Sequence, residues 1–112
     1  MTRGAEAEQK AEAFLTRAGL TTLARNYLCS RGELDLIMEH LGTLVFVEVR
    51  LRSHAAFGSG AESVTAGKRR KLRLAAEHYL QAHPDRHHQP ARFDVVWFDD
   101  LQSDPHWVTN AF

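Results

Sequence analysis

The sequence predicts an α/β fold in which a mixed central sheet is flanked by helices, with its elements in the order αβββαββ. Two stretches, 5–18 and 65–82, repeat apolar residues every three or four positions, as amphipathic helices do. The stretches between and after them contain apolar runs of strand length bounded by turn residues. A chain of 112 residues can build one core but not two, so we expect a single domain over residues 1–112.

The first predicted helix runs from about Ala5 to Ala18 and stops at Gly19, a residue typical of helix C-termini. Its apolar stripe consists of Ala7, Ala11, Phe14, Leu15 and Ala18. Glu8 lies three positions before Ala11, so its side chain borders this stripe. We therefore expect Glu8 to point toward the core, with a solvated position on the helix flank as the alternative.

Three strands are predicted next, and the second and third form a hairpin. The first strand lies around Thr21–Leu28. The hairpin consists of two apolar segments, Gly32–Glu39 and Leu44–Arg52, joined by a turn at His40–Thr43. The second hairpin strand alternates, with an apolar face of valines and leucine and an opposite face that changes from apolar to charged along its length. We expect the charged end to lie at the rim of a cleft.

Two carboxylates face each other in this hairpin. With the turn centred at Leu41–Gly42, Asp35 lies opposite Glu48, and directly opposed side chains share one face of the sheet. Their Cβ atoms would be about 4.5–5.5 Å apart, where two ionised carboxylates repel each other. A divalent cation between them would remove this repulsion, and Mg²⁺ or Mn²⁺ prefers such oxygen ligands. The alternative is that Glu48 forms a structural salt bridge with Arg50 or Arg31.

The second half of the chain supplies a helix and two more strands. A glycine-containing segment at 53–63 is predicted to be a loop, and Thr65 is a typical N-cap for the helix that follows. This helix ends near Ala82, before Pro84, and its buried stripe consists of Leu72, Ala75, Ala76, Tyr79 and Leu80. Arg92–Phe98 is predicted to be a largely buried strand, and Trp107–Thr109 a short edge strand.

The formal net charge is zero, but the charge is unevenly distributed. The segment from Arg50 to Arg73 holds seven basic residues and one acid, Glu62, which gives it a local charge of +6. Such a segment is typical of a localised anion-binding surface. We expect nucleic-acid phosphates to contact this surface, with a merely solvated basic face as the alternative. The candidate residues are Arg52, Lys68, Arg69, Arg70, Lys71 and Arg73.

Several classes of function are disfavoured by the composition. The single cysteine, Cys29, is incompatible with an internal disulfide and fits a reducing compartment. No apolar run approaches the length of about 18 residues that spans a membrane, and the first residues do not resemble a signal peptide, so we expect a cytoplasmic protein. His83, His87 and His88 suggest zinc, but their spacing is not that of a zinc site.

The order of these motifs resembles that of the YraN family, small bacterial proteins that are similar to archaeal Holliday-junction resolvases. Those resolvases belong to the PD-(D/E)XK nuclease superfamily. The resemblance covers nearly the whole chain. The matching positions are Gly4, Glu8, Ala11 and Leu15, then Arg25–Asn26, Arg31–Ile37, Phe46–Arg50 with Arg52, Ser63–Thr65 with Lys68, Arg92–Val96, and Asn110–Phe112.

The resemblance implies a restriction-endonuclease-like fold with a Mg²⁺ or Mn²⁺ site. In it, Glu8 would be the acid carried by the first helix, Asp35 the metal-bridging aspartate and Glu48 the second metal ligand. At the third signature position, where active nucleases usually carry lysine, this chain has Arg50. A guanidinium stabilises negative charge but does not act as a general base. We therefore consider that Lys68 could reach in from the second helix and take the place of that lysine.

These observations leave three functions open. The first is a metal-dependent nuclease that acts on branched or non-duplex DNA by water attack on a phosphodiester. A homodimer would suit that function because four-way junctions are two-fold symmetric. The second is a catalytically inactive module that binds nucleic acid or a protein on a nuclease fold, which Arg50 favours. The third is a structural interaction protein whose acidic residues form an internal salt-bridge network.

Overall fold

The computed structural model describes residues 1–51 and 64–112. Arg52 and the predicted loop at 53–63 lie outside the described residues. The elements appear in the predicted order, with one short 3₁₀ turn added after the second helix. They are α1 (Arg3–Arg17), β1 (Thr21–Cys29), β2 (Gly32–His40), β3 (Thr43–Leu51), α2 (Ala66–Ala82), the 3₁₀ turn (Pro84–Arg86), β4 (Ala91–Phe98) and β5 (His106–Val108).

The strands form one mixed sheet in the order β1-β2-β3-β4-β5. Neighbouring strands are antiparallel except for β3 and β4, which are parallel. A parallel pair needs a long crossover connection, and α2 lies in that connection. The predicted α/β architecture, a mixed sheet flanked by two helices as in nuclease-like folds, is therefore confirmed. None of the helices in the described ranges is long and apolar enough to cross a membrane.

Helix α1 packs on one face of the sheet and begins two residues earlier than the sequence pattern indicates. The reason is Thr2, whose hydroxyl accepts a hydrogen bond from Ala5 N at 3.0 Å and caps the first turn. The predicted stop is confirmed, because Gly19 adopts a left-handed φ of 103°. The buried residues Ala7, Ala11 and Leu15 are those of the predicted stripe.

Helix α2 packs on the opposite face, and Thr65 is its N-cap as predicted. The Thr65 hydroxyl accepts a hydrogen bond from Lys68 N at 3.2 Å. Its buried side chains are Leu72, Ala75, Ala76 and Tyr79, whereas Leu80, predicted to be buried with them, is half-buried. The cap fixes where the first helical turn starts and therefore where the side chain of Lys68 emerges.

Two hydrophobic clusters hold the helices to the sheet. The α1 side contains Val45 and Val47 of β3, with Val49 packed against them, and the α2 side contains Leu44 and Phe46. This division confirms the predicted alternation along β3. Continuing the alternation places the next residue on the α2 side, Glu48, at the end of an otherwise apolar row.

The hairpin register agrees with the prediction from Leu36, paired with Val47, to His40, paired with Thr43. At the tip, Leu41 and Gly42 have φ values of 51° and 85°, the two positive angles of a type I′ turn. The regular backbone pairing of β2 with β3 ends at Leu36 and Val47. Asp35 therefore lies one position beyond the last regular pair. The predicted pairing of Asp35 with Glu48 is not part of the ladder.

A buried aspartate, Asp94, joins β4 to the C-terminal residues. Its side chain is 0% exposed and accepts hydrogen bonds from Trp107 Nε1 at 3.0 Å and from Asn110 N at 3.0 Å. Arg92 Nε lies 3.0 and 3.2 Å from the two carboxylate oxygens and supplies the compensating charge. The next residue, Phe93, stacks on Phe112 with ring centroids 4.9 Å apart. The Arg92–Val96 and Asn110–Phe112 motifs thus lock the C-terminus onto the sheet.

We predict that Asp94→Ala lowers the free energy of unfolding by about 3–5 kcal/mol, because it leaves the donors of Trp107 and Asn110 and the charge of Arg92 without their buried acceptor. Urea unfolding followed by circular dichroism measures this. The matched control is Asp104→Ala, since Asp104 is exposed. A loss below about 1 kcal/mol would contradict the structural role given to Asp94.

Candidate functional site

Asp35 lies where the regular alternation of β2 is interrupted. Leu36 belongs to the α1 cluster, yet Leu34, two residues earlier, belongs to the α2 cluster. A regular strand places residues two apart on the same face, so the chain changes its orientation at Asp35. The Asp35 carboxylate then accepts a hydrogen bond from Val49 N at 2.8 Å. The Asp35 carboxylate thereby accepts a hydrogen bond that a backbone carbonyl accepts in a regular ladder. This hydrogen bond holds the side chain beside Glu48.

Glu48 is a carboxylate buried at the end of the apolar row, with a side chain only 4% exposed. Lys68 Nζ lies 3.3 Å from Glu48 Oε2, so the first turn of α2 delivers an ammonium group to it. Arg50 Nη1 is more distant, at 3.9 Å from the same oxygen. Lys68 therefore contacts Glu48 from the second helix, and its substitution for the usual nuclease lysine stays a prediction. The alternative of an Arg50 salt bridge is also present, as the weaker of the two contacts.

The pKa of Asp35 depends on the Glu48 carboxylate beside it. Burial raises the pKa of Asp35 to about 8, and the hydrogen bond and negative charge of Glu48 raise it as well. The amide of Val49 and the charge of Lys68 lower this pKa, but by less. At neutral pH Asp35 therefore keeps its proton beside Glu48. A cation that replaced this proton would meet two carboxylates at once, a donor set that suits Mg²⁺ or Mn²⁺.

Glu8 approaches the same end of the hairpin from the α1 side. Its carboxylate accepts a hydrogen bond from Asn26 Nδ2 at 2.7 Å, and that amide also lies 3.4 Å from Glu33 Oε1. Burial raises the pKa of Glu8, the Asn26 hydrogen bond opposes this, and the charges of Asp35 and Glu33 add to the increase. The pKa of Glu8 therefore depends in part on Asp35. Glu8 is half-buried at the border of the apolar stripe, and its part in the site stays a prediction.

Within residues 1–51 and 64–112, no three His, Cys, Asp or Glu side chains converge closely enough to hold a metal ion. Metal binding by Asp35, Glu48 and Glu8 stays a prediction, and Asp35 and Glu48 are the two of these that lie side by side. The histidines considered for zinc make other contacts. His83 Nδ1 is hydrogen-bonded to Tyr79 O at 2.8 Å, and His87 Nε2 to Leu80 O at 2.5 Å.

The basic residues of α2 surround the helix and do not form one face. Lys68 points to Glu48, whereas the guanidinium groups of Arg69 and Arg73 lie 5.2 and 5.4 Å from the centre of the Phe112 ring. Arg70, Lys71 and Arg73 are exposed. Contact of the basic α2 side chains with nucleic acid stays a prediction. The predicted contact of Arg52 with nucleic acid lies outside the described ranges.

Two residues that contact the site side chains, Asn26 and Phe112, were not predicted from the chemistry of the sequence. Asn26 orients Glu8, and its φ of 49° is the left-handed conformation that asparagine tolerates. Phe112 receives two of the basic side chains of α2. Both residues belong to motifs that carry the family resemblance, Arg25–Asn26 and Asn110–Phe112. That resemblance was the available signal, but it did not indicate what either residue contacts.

We predict that Asp35→Asn stabilises the metal-free protein more at pH 8 than at pH 5. In the unfolded chain Asp35 loses its proton near its ordinary pKa of 3.8, but in the fold it keeps the proton up to about pH 8. The folded state therefore binds more protons between these values, and this carboxyl makes stability fall as pH rises through them. Asparagine cannot ionise, and it can still accept from Val49 N and donate to Glu48.

The measurement is urea unfolding in the presence of a chelator at both pH values. We expect the difference in unfolding free energy between Asp35→Asn and the parent protein to grow by at least about 1–2 kcal/mol from pH 5 to pH 8. Asp104→Asn, at an exposed position, is the control for removing one negative charge. An equal effect of Asp35→Asn at both pH values would show that Asp35 is not protonated in the fold.

Comparison with known proteins places the chain in a family. The model of the uncharacterised protein family UPF0102 matches residues 7–98. A UPF0102 protein of Methylobacillus flagellatus is 48% identical over 110 residues, covering 97% of this chain and 95% of the relative. UPF0102 proteins of Pseudomonas aeruginosa and Saccharophagus degradans are each 50% identical, covering 98% and 97% of this chain and 91% of each relative. The chain therefore belongs to the UPF0102 family, the YraN family that its motifs resemble.

Proposed function

We propose that this protein is a metal-dependent, nuclease-like protein that hydrolyses phosphodiesters in branched or non-duplex DNA. The observation that carries the proposal is the buried Glu48 with Asp35 beside it and Lys68 Nζ at 3.3 Å. Two adjacent carboxyl groups with an ammonium group within reach are a costly arrangement for a protein interior. A polar cluster of this kind at the open end of a strand is typical of a reactive site.

The two carboxylates fit a hard divalent cation. Mg²⁺ typically takes one or two protein carboxylates and completes its shell with water and phosphate oxygen. When bound, such an ion supplies an activated water and stabilises the leaving oxygen of a phosphodiester. In this chain Asp35 and Glu48 would hold it. The hydrogen bond from Val49 N fixes the Asp35 carboxylate for that task.

The cationic side chains have distinct tasks in this proposal. Lys68 is close enough to Glu48 to contact a water or a phosphate oxygen placed at the carboxylates. Arg50, as a permanently charged guanidinium, would hold the phosphate and the charge that develops on it. Arg70 and Lys71 are exposed on the same helix and would attract the backbone of the nucleic acid. A homodimer would place two such sites on a two-fold symmetric junction.

A catalytically silent binding module is the second candidate, and a specific observation favours it. Glu48 already has Lys68 and Arg50 as ionic partners, and Asp35 holds a proton, so the cluster is compensated without a metal. The same arrangement would serve the purely structural alternative. Metal binding and cleavage distinguish a nuclease from both alternatives. A nuclease needs the cluster to exchange its proton and its cationic partner for a divalent ion, and the alternatives do not.

We predict Mn²⁺-dependent cleavage of four-way junctions, flaps or single strands, with plain duplex as the comparison substrate. Glu48→Gln and Asp35→Ala each remove a ligand, so we expect the rate to fall by roughly 10²-fold or more. Asp104→Asn is the matched control, because Asp104 is an exposed carboxylate away from the site. Gel assays at several Mn²⁺ concentrations measure this. Cleavage that survives both ligand substitutions, or no cleavage of any substrate, would contradict the nuclease proposal.

Metal binding is measured separately by calorimetry in buffers of different ionisation enthalpy. Because Asp35 holds its proton up to about pH 8, we expect Mn²⁺ binding at pH 6.5 to release about one proton. Glu48→Gln should abolish the heat of binding. Binding of Mn²⁺ without proton release would place the ion away from the Asp35–Glu48 pair.

We predict that Lys68→Ala and Lys71→Ala have different effects on this cleavage. Lys68 contacts Glu48, so its loss should lower the maximal rate by roughly 10²–10³-fold and change DNA affinity little. Lys71 is exposed on the same helix, so its loss should weaken binding and reduce the salt dependence by about one phosphate contact. Filter binding and single-turnover kinetics distinguish the two. Equal effects on rate would show that Lys68 takes no part in the reaction.

A further inference from the structure

A pair of stacked aromatic rings lies on the same face of the sheet as the acidic site. The rings of Trp97 and His106 have centroids 4.7 Å apart and planes inclined by 15°. Trp97 packs beside the α2 cluster, which places it on the α2 face of β4. His106 is its partner on β5. Neither residue was among those that the sequence analysis singled out for function.

The strand pairing gives the distance of this ring pair from the site. On neighbouring β3 and β4, Glu48 is paired with Val95 and Arg50 with Trp97. Neighbouring strands lie about 4.8 Å apart, so the indole begins one strand away from Arg50. Arg50, Trp97 and His106 thus form one row across the sheet, next to the row that starts at Glu48.

The ring pair is accessible and held in place. The side chain of His106 is 48% exposed, and Trp97 is half-buried. His106 Nε2 lies 2.8 Å from Asp99 Oδ2, which fixes the plane of the imidazole. The other tryptophan, Trp107, has a different environment. It packs on the α1 side and donates its Nε1–H to Asp94.

We propose that the Trp97–His106 ring pair is a stacking platform for an unpaired base, next to a phosphate held at Glu48 and Arg50. Aromatic side chains on a sheet surface bind bases by stacking, and they accept any base because each has a π-face. In an intact duplex those faces are already covered by neighbouring bases. The platform therefore selects nucleic acid with an unpaired nucleotide at the reacting position. This inference rests on the proposed function and specifies its substrate class.

The test uses binding of oligothymidylate, of a flap and of a blunt duplex, in Ca²⁺ to prevent cleavage. We expect Trp97→Leu to weaken binding of oligothymidylate by about 5- to 150-fold, which corresponds to about 1–3 kcal/mol for a stacked base. Binding of the duplex, which uses the basic side chains, should change less than about twofold. His106→Ala should act in the same direction. It is an exposed substitution on an edge strand, so it tests the platform if Trp97→Leu does not fold.

Tryptophan fluorescence gives a second readout. The chain has two tryptophans, so Trp107→Phe leaves Trp97 as the sole indole. Its emission should be quenched by oligothymidylate and by the flap but not by the duplex. The control is Trp97→Phe, which leaves only Trp107 on the opposite face and should show no quenching.

The outcomes separate this inference from the proposed function. Equal affinity of the parent protein and both platform variants for oligothymidylate, with Mn²⁺-dependent cleavage intact, would overturn the platform and leave the nuclease proposal standing. Absence of binding to all three nucleic acids by the folded parent protein would overturn both. Selective loss of binding to unpaired strands in His106→Ala, together with quenching of Trp97, would support the platform even in a protein that does not cleave.

Discussion

The burial of Glu48 is the constraint on which the rest of the site depends. A carboxylate that is 4% exposed costs several kcal/mol unless its charge is compensated. The compensation comes from Lys68 on α2, from the proton held by Asp35 and, at longer range, from Arg50. Lys68 reaches Glu48 from the first turn of α2, and the Thr65 cap sets where that turn starts. The position at which α2 begins therefore determines how the charge of Glu48 is compensated.

The basic first turns of α2 illustrate the same coupling. Cations are disfavoured at a helix N-terminus, where the macrodipole is positive. Lys68 is compensated by Glu48, and Arg69 and Arg73 lie over Phe112, which stacks on Phe93. A cation over an aromatic ring is stabilised by the negative π-face. The C-terminal residues therefore support the helix that carries Lys68, and the Asp94 hydrogen bonds hold those residues on the sheet.

Features that depend on neighbours in the sequence could be predicted, and features that depend on distant contacts could not. Apolar periodicity gave both helices, and the alternation along β3 with the tip at Leu41–Gly42 gave the hairpin register. The interrupted alternation at Asp35 and the left-handed Asn26 arise from contacts with Val49 and Glu8. Nothing local in the sequence requires them. Likewise, the basic segment predicted a localised anion-binding surface, but the contacts of Lys68, Arg69 and Arg73 with Glu48 and Phe112 depend on residues distant in the sequence.

If the proposed function holds, one lysine would serve both stability and reactivity. Without a cation, Glu48 needs Lys68 as a partner, and the acidic cluster is then a compensated ion pair of the kind found in structural networks. A divalent cation at Asp35 and Glu48 would displace the proton held by Asp35 and supply the charge that Lys68 now provides. The ammonium group would then be available to a phosphate oxygen or to water about 3 Å from the carboxylates. Under the proposed function the compensated metal-free cluster would be the resting form of the site, and Lys68 would contact Glu48 in that form and the substrate in the other.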